Sequence, residues 1–374
     1  MSLALLSFGG YFFKFLSSGS LNMKFGVFLP NGSNGYVISE AIEPYVPTYD
    51  HLKAITLEAE KQGLSFALPM IKFKGFGGAT GFWDHCMEPF TLVSALSTIT
   101  NKLNFIPTVS LLALHPAYTA RMMATLSNIS GGRVGLNVVT GWNSEEYAQM
   151  GLWPGSKFYE ERYEFATEYL SVLKDFWNTG RCSRKSEFWQ LDDCQCFPTP
   201  HYPIPIVSAG QSPAGIKFCE DHVNQRFVFG HSDVLGKLEE QKNEGSQKKY
   251  GAYILLHMIV EQTDKKARKI GEKIIRMADK SATSNIISSA RLDTNIGGTS
   301  EKHTLSLDKP LEEGNSAFHM IPVIHGSPTS VAIKLDEIAE RTGADGFMFS
   351  WNDFEKGIRV FGQEVLPRLN CSKL

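Results

Sequence analysis

From residue 23 onward, short apolar runs alternate with longer segments in which apolar residues recur at helical spacing. The apolar runs predict buried strands, and the segments between them predict helices. Eight strands are expected, at residues 24–30, 65–70, 103–109, 134–139, 204–208, 227–229, 253–260 and 346–351. Successive β–α units imply right-handed crossovers and a parallel sheet that closes on itself. The pattern therefore predicts an α/β fold of the (β/α)8 TIM-barrel type.

Two segments interrupt this alternation. Residues 180–203 read as a loop with a hairpin-like stretch, FWQLDD. Residues 281–315 are polar, rich in Ser, Thr and Gly, and only weakly periodic. A long irregular segment inside a barrel is usually a lid or disordered. We therefore expect a single barrel domain over residues 23–374, with a polar insertion at about 281–315 before the last strand.

The first 22 residues differ from the rest of the chain, with one Lys, no acidic residue and many aromatic and small residues. One interpretation is a targeting segment for export or import into an organelle, although the start is not basic. The other is a disordered N-terminal extension, with the folded protein beginning at Met23. The prediction of the fold does not use this segment.

Composition narrows the class of protein. The 374 residues carry a formal net charge of −2, and 43% are hydrophobic, which is a globular composition. The near-neutral charge argues against nucleic-acid binding. After residue 22 the sequence has no long uncharged apolar run, which argues against a polytopic membrane protein. Six cysteines are too sparse for a disulfide scaffold, so we expect thiols and a cytoplasmic protein, with organelle import through residues 1–22 as the alternative.

Candidate site residues follow the predicted strands, because barrel sites form at the carboxyl ends of strands. Ile71 and Lys72 end the second strand, and Thr108 ends the third. The alternative interpretation of Lys72 is a loop lysine exposed to solvent. Asn137 lies inside the apolar strand VGLNVV, where a buried amide costs several kcal/mol unless it is paired. It should therefore hydrogen-bond either a ligand or a neighbouring strand.

A phosphate site is the second candidate. Ser212 opens a helix after a glycine, which places free N–H groups beside a hydroxyl, although a simple N-cap gives the same pattern. Arg162 and Tyr163 lie early on a long helix, and a guanidinium matches phosphate oxygens. Asp84 and His85 have no further ligand cluster in sequence, so no metal site is expected.

Long ordered strings carry a family resemblance. The chain resembles the flavin-dependent, luciferase-like monooxygenases, and within them the RutA-type pyrimidine oxygenases. The strings are MKFGVFLP from Met23, ALPMIKFKGFGG from Ala67, FWDHCMEPFTL from Phe82, ISGGRVGLNVVTGWNSEEYAQMGLWPG from Ile129 and AGQSPAG from Ala209.

The resemblance implies a barrel that binds reduced FMN non-covalently, with NAD(P)H used by a separate flavin reductase. The implied flavin-contacting positions are Ile71, Lys72, Asn137, Glu146, Arg162, Tyr163 and Ser212. Thr108 and Asn137 match residues around the face that reacts with oxygen and are the expected catalytic residues.

The implied reaction uses FMNH2 and O2 to open the uracil or thymine ring between N3 and C4, giving a ureidoacrylate (peracid) product in pyrimidine nitrogen catabolism. The expected partners are a small pyrimidine, O2 and the reductase, with assembly into a homo-oligomer left open. The alternatives are a sister enzyme acting on a sulfonate, sulfone or other small molecule, a non-catalytic flavin-binding protein, and a phosphate-binding barrel enzyme without flavin.

Overall fold

The computed structural model describes residues 23–245, 250–294 and 299–372, so the N-terminal segment 1–22 lies outside the described residues. The strands are β1 (Lys24–Leu29), β2 (Phe66–Pro69), β3 (Asn104–Phe105), β4 (Thr108–Ser110), β5 (Leu136–Val139), β6 (Arg181–Lys185), β7 (Gln190–Gln195), β8 (Ile206–Ser208), β9 (Gln225–Phe229), β10 (Gly251–Val260), β11 (Val323–Gly326) and β12 (Gly346–Ser350). The helices are α1 (Tyr49–Lys61), α2 (Pro89–Thr98), α3 (Pro116–Ser130), α4 (Ser144–Ala148), α5 (Phe158–Thr179), α6 (Pro213–His222), α7 (Ser232–Asn243), α8 (Asp264–Arg276), α9 (Lys280–Ala290), α10 (Thr299–Thr304), α11 (Pro328–Thr342) and α12 (Phe354–Val360).

The parallel sheet closes into a barrel through the strand that β3 and β4 form together. Along the sheet the order is β3, β2, β1, β12, β10, β9, β8, β5, β4, and β3 and β4 are two halves of one strand. Pro107 separates the halves, because it has no N–H to donate to a ladder. Before it, the N–H of Ile106 donates to the carbonyl of Ala67, and after it the carbonyl of Pro107 accepts from Asn137. The two halves thus join the sheet's ends, and the predicted barrel is confirmed.

Aromatic side chains fill the part of the barrel near the amino-terminal ends of the strands. The rings of Phe66 and Tyr253 stack with centroids 4.7 Å apart, and a Cβ on Gly26 would lie 2.3 Å from the Phe66 ring. Further up, Phe28 and Phe227 lie with centroids 6.3 Å apart. This packing fills the barrel interior with aromatic side chains.

One strand was missed by the sequence pattern. β11 pairs in parallel with the end of β10, in register from His257 opposite Val323. The amino-terminal part of the ten-residue β10 pairs with β9 and β12. β11 has the sequence VIHG, and a four-residue run with a histidine and a glycine gives no clear strand signal.

The prediction of an irregular insertion was wrong for much of residues 281–315. α9 and α10 lie there, and α9 buries Ala282, Ile286 and Ile287 on one face. Asp279 caps α9, its carboxylate accepting from the N–H groups of Ser281 and Ala282 at 3.1 Å. The intervening Ser and Thr residues weakened the apolar signal. The hairpin predicted within residues 180–203 is present as the antiparallel pair β6–β7.

None of the helices in the described part of the chain is long and apolar enough to cross a membrane.

Candidate active site

A cavity opens at the carboxyl ends of the barrel strands, above Phe28 and Phe227, with an empty volume of about 1240 Å³ including its mouth. It is lined by all the residues predicted from the sequence: Ile71, Lys72, Thr108, Asn137, Glu146, Arg162, Tyr163 and Ser212. These residues are separated by up to 141 positions in the chain, yet the barrel brings them to one space. Their individual roles stay predictions.

Asn137 has one amide atom paired and one unpaired. Its Nδ2 donates to Oγ1 of Thr108 at 2.9 Å, and that hydroxyl donates to the carbonyl of Pro69 at 2.7 Å. The register of β4 and β5 places Asn137 opposite Thr108. The Oδ1 atom is buried and has no partner among the described residues. The neighbouring strand therefore explains half of this amide, and the other half is available to a ligand.

Lys72 and Glu146 form a buried ion pair at the cavity wall. Nζ of Lys72 lies 2.9 Å from Oε1 of Glu146, with the side chains 4% and 9% exposed. The same Oε1 accepts from the N–H of Phe73 at 3.0 Å, which holds the carboxylate in place. Burial lowers the pKa of Lys72, and Glu146 opposes this shift. Lys72 is therefore not the solvated loop lysine that the sequence alone allowed.

Arg162 is paired with a carboxylate that the sequence analysis did not single out. Its Nη1 lies 3.0 Å from Oδ2 of Asp293, and both side chains are buried. The hydroxyl of Ser300 donates to the same carboxylate oxygen at 2.7 Å. Nε of Arg162 is buried without a partner among the described residues. Because Asp293 and Ser300 belong to the insertion, this contact ties the insertion to the cavity.

Ser212 and Tyr163 meet at the start of α6. Oγ of Ser212 accepts from the N–H of Gly215 at 3.2 Å and lies 3.5 Å from the hydroxyl of Tyr163. A Cβ on Gly215 would lie 2.4 Å from that hydroxyl, so glycine permits the approach. Ser212 is thus an N-cap, and the cap also places it in the cavity wall. Both amide atoms of the neighbouring Gln211 are buried without a partner in the described residues.

Five rings form what we call the aromatic collar: Phe76, Trp83, Trp142, His303 and His319. Neighbouring ring centroids in this circuit lie 4.4–6.3 Å apart. All but Phe76 line the cavity. Sequence analysis missed the two histidines, because each stands alone in the polar insertion or just after it and only the folded chain brings them together.

Three rings of the collar, those of Phe76, Trp83 and Trp142, lie close to the ammonium group of Lys72. Its Nζ lies 4.3 Å from the ring centroid of Phe76 and 5.2 Å from that of Trp142, which favours a cation. Burial and the charge of Lys72 lower the pKa of His303 to about 3. Burial, His303 and Lys72 lower the pKa of His319 well below its usual value. Both imidazoles are therefore neutral, and Lys72 is the cation of the collar.

Within residues 23–245, 250–294 and 299–372, no group of three or more His, Cys, Asp or Glu side chains could hold a metal ion.

Comparison with known proteins identifies the family. The profile described as luciferase-like monooxygenase matches residues 23–346. The chain belongs to the luciferase-like monooxygenase family. Its members in the comparison include the pyrimidine monooxygenase RutA of Escherichia coli (strain SE11), 39% identical over 360 residues, covering 94% of this chain and 92% of the relative.

A second pyrimidine monooxygenase is similar in sequence to this chain, and one solved structure is similar in fold. The pyrimidine monooxygenase RutA of Enterobacter sp. (strain 638) is 37% identical, covering 93% of this chain and 97% of its own. The riboflavin lyase RcaE, whose structure holds a modified FMN and riboflavin, superposes with a TM-score of 0.78 at 19% identity, covering 92% of this chain and 91% of its own. This luciferase-like monooxygenase is a flavin-dependent oxidoreductase, and the likeness to RcaE supports the fold.

Proposed function

We propose that this luciferase-like monooxygenase is an FMN-dependent pyrimidine monooxygenase that opens the uracil or thymine ring between N3 and C4 and yields a ureidoacrylate (peracid) product. The observation that carries the proposal is a single cavity that joins the predicted flavin residues to an aromatic collar around the buried cation Lys72. A planar, uncharged ring with carbonyl oxygens suits such a space. The identity to the RutA relatives supports the same substrate class.

The residues present fit a flavin. The buried Oδ1 of Asn137 and both amide atoms of Gln211 have no partner among the described residues, and a flavin ring edge or ribityl chain offers donors and acceptors. Arg162, Tyr163 and Ser212 would hold the phosphate, and Ile71, Lys72, Asn137 and Glu146 the ring system. When bound, reduced FMN supplies the electrons that activate O2.

The side chains of this chain bind, orient and stabilise charge. Lys72 Nζ, held by Glu146 at 2.9 Å, can donate to a substrate carbonyl oxygen and stabilise the negative charge that develops there. Thr108 fixes the amide plane of Asn137, so that its unpartnered Oδ1 is held in one orientation. The insertion contributes Asp293, Ser300 and His303 to the wall and so limits access of water.

The proposal extends to partners. FMN would be reduced with NAD(P)H by a separate flavin reductase, and O2 and a small pyrimidine would complete the reaction. We place the enzyme in the cytoplasm.

Oxygen uptake tests the substrate class. The protein, FMN, a flavin reductase and NADH are mixed in an oxygen electrode with uracil or with an alkanesulfonate, and background uptake without substrate is subtracted. Uptake stimulated by uracil supports the proposal. Stimulation by the sulfonate would favour a sister enzyme, and stoichiometric FMN binding without stimulated uptake would favour a non-catalytic flavin protein.

A further inference from the structure

His303 and His319 stand side by side in the cavity wall. Their ring centroids lie 4.7 Å apart, and the side chains are 3% and 7% exposed. His303 lies against Trp142 at 5.5 Å, and His319 against Trp83 at 4.4 Å. Each imidazole is therefore held between aromatic neighbours, which fixes the direction of its ring nitrogens.

Each histidine keeps one buried polar atom without a partner in the described residues: Nε2 of His303 and Nδ1 of His319. A buried nitrogen that lacks a hydrogen bond costs free energy, which a ligand can recover. A neutral imidazole offers one N–H donor and one acceptor nitrogen, and both histidines are kept neutral by burial and by the nearby Lys72. The pair can therefore match adjacent N–H and C=O groups on the edge of a ring.

We propose that His303 and His319 form a substrate-recognition pair that hydrogen-bonds the polar edge of an uncharged, planar lactam ring held in the aromatic collar. This inference rests on the proposed function, since it names the residues that read a pyrimidine. The faces of Trp83 and Trp142 pack against the ring, and Lys72 contacts a carbonyl oxygen. The residues predicted to hold the flavin are separate from the two histidines.

The location of the pair adds a consequence for specificity. His303 lies on α10 within the insertion, and His319 follows the 3-10 turn after it, with a backbone φ of +49°. The insertion and the turn after it therefore supply the substrate-reading groups, whereas the residues predicted to bind flavin lie on β5, α4 and α5 and in the loops after β2 and β8. A neutral pair beside a single paired cation favours a neutral ring over a dianionic or strongly acidic substrate.

Direct binding tests the proposal without turnover. Labelled uracil is measured by equilibrium dialysis against protein loaded with oxidised FMN, and FMN affinity is measured separately by fluorescence. We expect His303→Phe and His319→Phe each to weaken uracil binding at least tenfold and to leave FMN affinity within about threefold, because a phenyl ring keeps the packing and removes the nitrogens.

Amide variants isolate the polar atom. His303→Gln and His319→Asn place an amide near the former Nε2 and Nδ1 positions, and Asn also tolerates positive φ. They should retain uracil binding within about threefold of the wild type. The matched control is His231→Phe, at a buried histidine that also has an unpartnered Nε2 but is not among the residues lining the cavity. It should leave uracil binding unchanged.

The outcomes separate this inference from the proposed function. Phe variants that bind uracil as tightly as the wild type, or folded amide variants that lose it as fully as the Phe variants, would overturn the recognition pair. If a Phe variant does not fold, the amide variant at the same position decides. Wild-type protein that binds FMN but no uracil would contradict the proposed function, and the inference with it.

Discussion

The guanidinium of Arg162 lies 3.0 Å from the carboxylate of Asp293, and the two side chains are 5% and 1% exposed. Arg162 is the residue expected to hold the flavin phosphate, so the carboxylate occupies a donor that the phosphate would use. Because Asp293 lies in the insertion, we expect this pair to couple flavin binding to the position of the insertion.

Arg162→Ala should weaken FMN binding tenfold to a hundredfold, since a charged hydrogen bond to phosphate contributes about 1.5–3 kcal/mol. Fluorescence titration measures the dissociation constant. Riboflavin, which lacks the phosphate, is the control ligand and should bind the variant as it binds the wild type. An unchanged FMN dissociation constant would remove Arg162 from the phosphate site.

Asp293→Asn should strengthen FMN binding by about fivefold, because removing a competing carboxylate is worth on the order of 1 kcal/mol. In an Arg162→Ala background the same substitution should have little effect, and the double-mutant cycle measures this coupling. Weaker FMN binding by the single variant would show that Asp293 orients Arg162 for the phosphate and does not compete with it.

Asn137→Leu separates binding from chemistry. Leucine keeps about the same volume but removes the free Oδ1 and the donor to Thr108. If the amide serves the reaction, the variant should stay folded, bind FMN within about tenfold, and consume reduced flavin while releasing hydrogen peroxide. Loss of the hydrogen bond to Thr108 alone predicts destabilisation by about 1–3 kcal/mol.

Three measurements on one preparation distinguish these results: melting temperature, FMN affinity and product per O2 consumed. Normal coupling to product would exclude a catalytic role for Asn137. A variant that simply unfolds would assign the amide to the structure of the barrel.

Glu146→Gln should destabilise the protein by about 3–5 kcal/mol, because Lys72 would remain buried without its carboxylate. The neighbouring pair Lys74–Glu145 is the matched control, with a 3.0 Å separation but side chains 46% and 47% exposed. Glu145→Gln should cost at most about 1 kcal/mol. Denaturant unfolding measures both, and equal losses would show that burial does not set the strength of the inner pair.

The lowered pKa of His303 predicts a stability change with pH. The ordinary pKa of histidine is 6.5, and the pKa of His303 in the folded protein is about 3. Between these pH values the unfolded chain therefore binds a proton that the folded protein does not. The free energy of unfolding should therefore fall as pH drops from about 6.5 toward 3, by up to about 1.4 kcal/mol per pH unit. His303→Gln should flatten this slope, and an unchanged slope would contradict a neutral, buried His303.

The sequence predicted the barrel because its strands are apolar and regularly spaced. It predicted residues that line the cavity because these lie at strand ends, in family strings or, for Arg162 and Tyr163, early on a long helix. Asn137 was recognisable as a polar residue inside an apolar strand. These signals are local, so a single sequence carries them.

The remaining features depend on contacts between distant residues. Asp293 and His303 lie in a polar insertion whose Ser and Thr content hides helix α9, and their partners Arg162 and Trp142 are more than 130 positions away in the chain. Pro107 divides one strand into two without changing its apolar pattern. β11 is too short to be recognised. Only the folded chain reveals the ion pair and the collar.

Product analysis tests the central proposal most directly. The protein is incubated with FMN, a flavin reductase, NADH, isotopically labelled O2 and uracil, and the mixture is resolved by liquid chromatography and mass spectrometry, with protein omitted as the control. We predict a ring-opened ureidoacrylate-type product that carries label from O2 and forms only with the protein present. Uracil recovered intact while reduced flavin is consumed would contradict the proposed function.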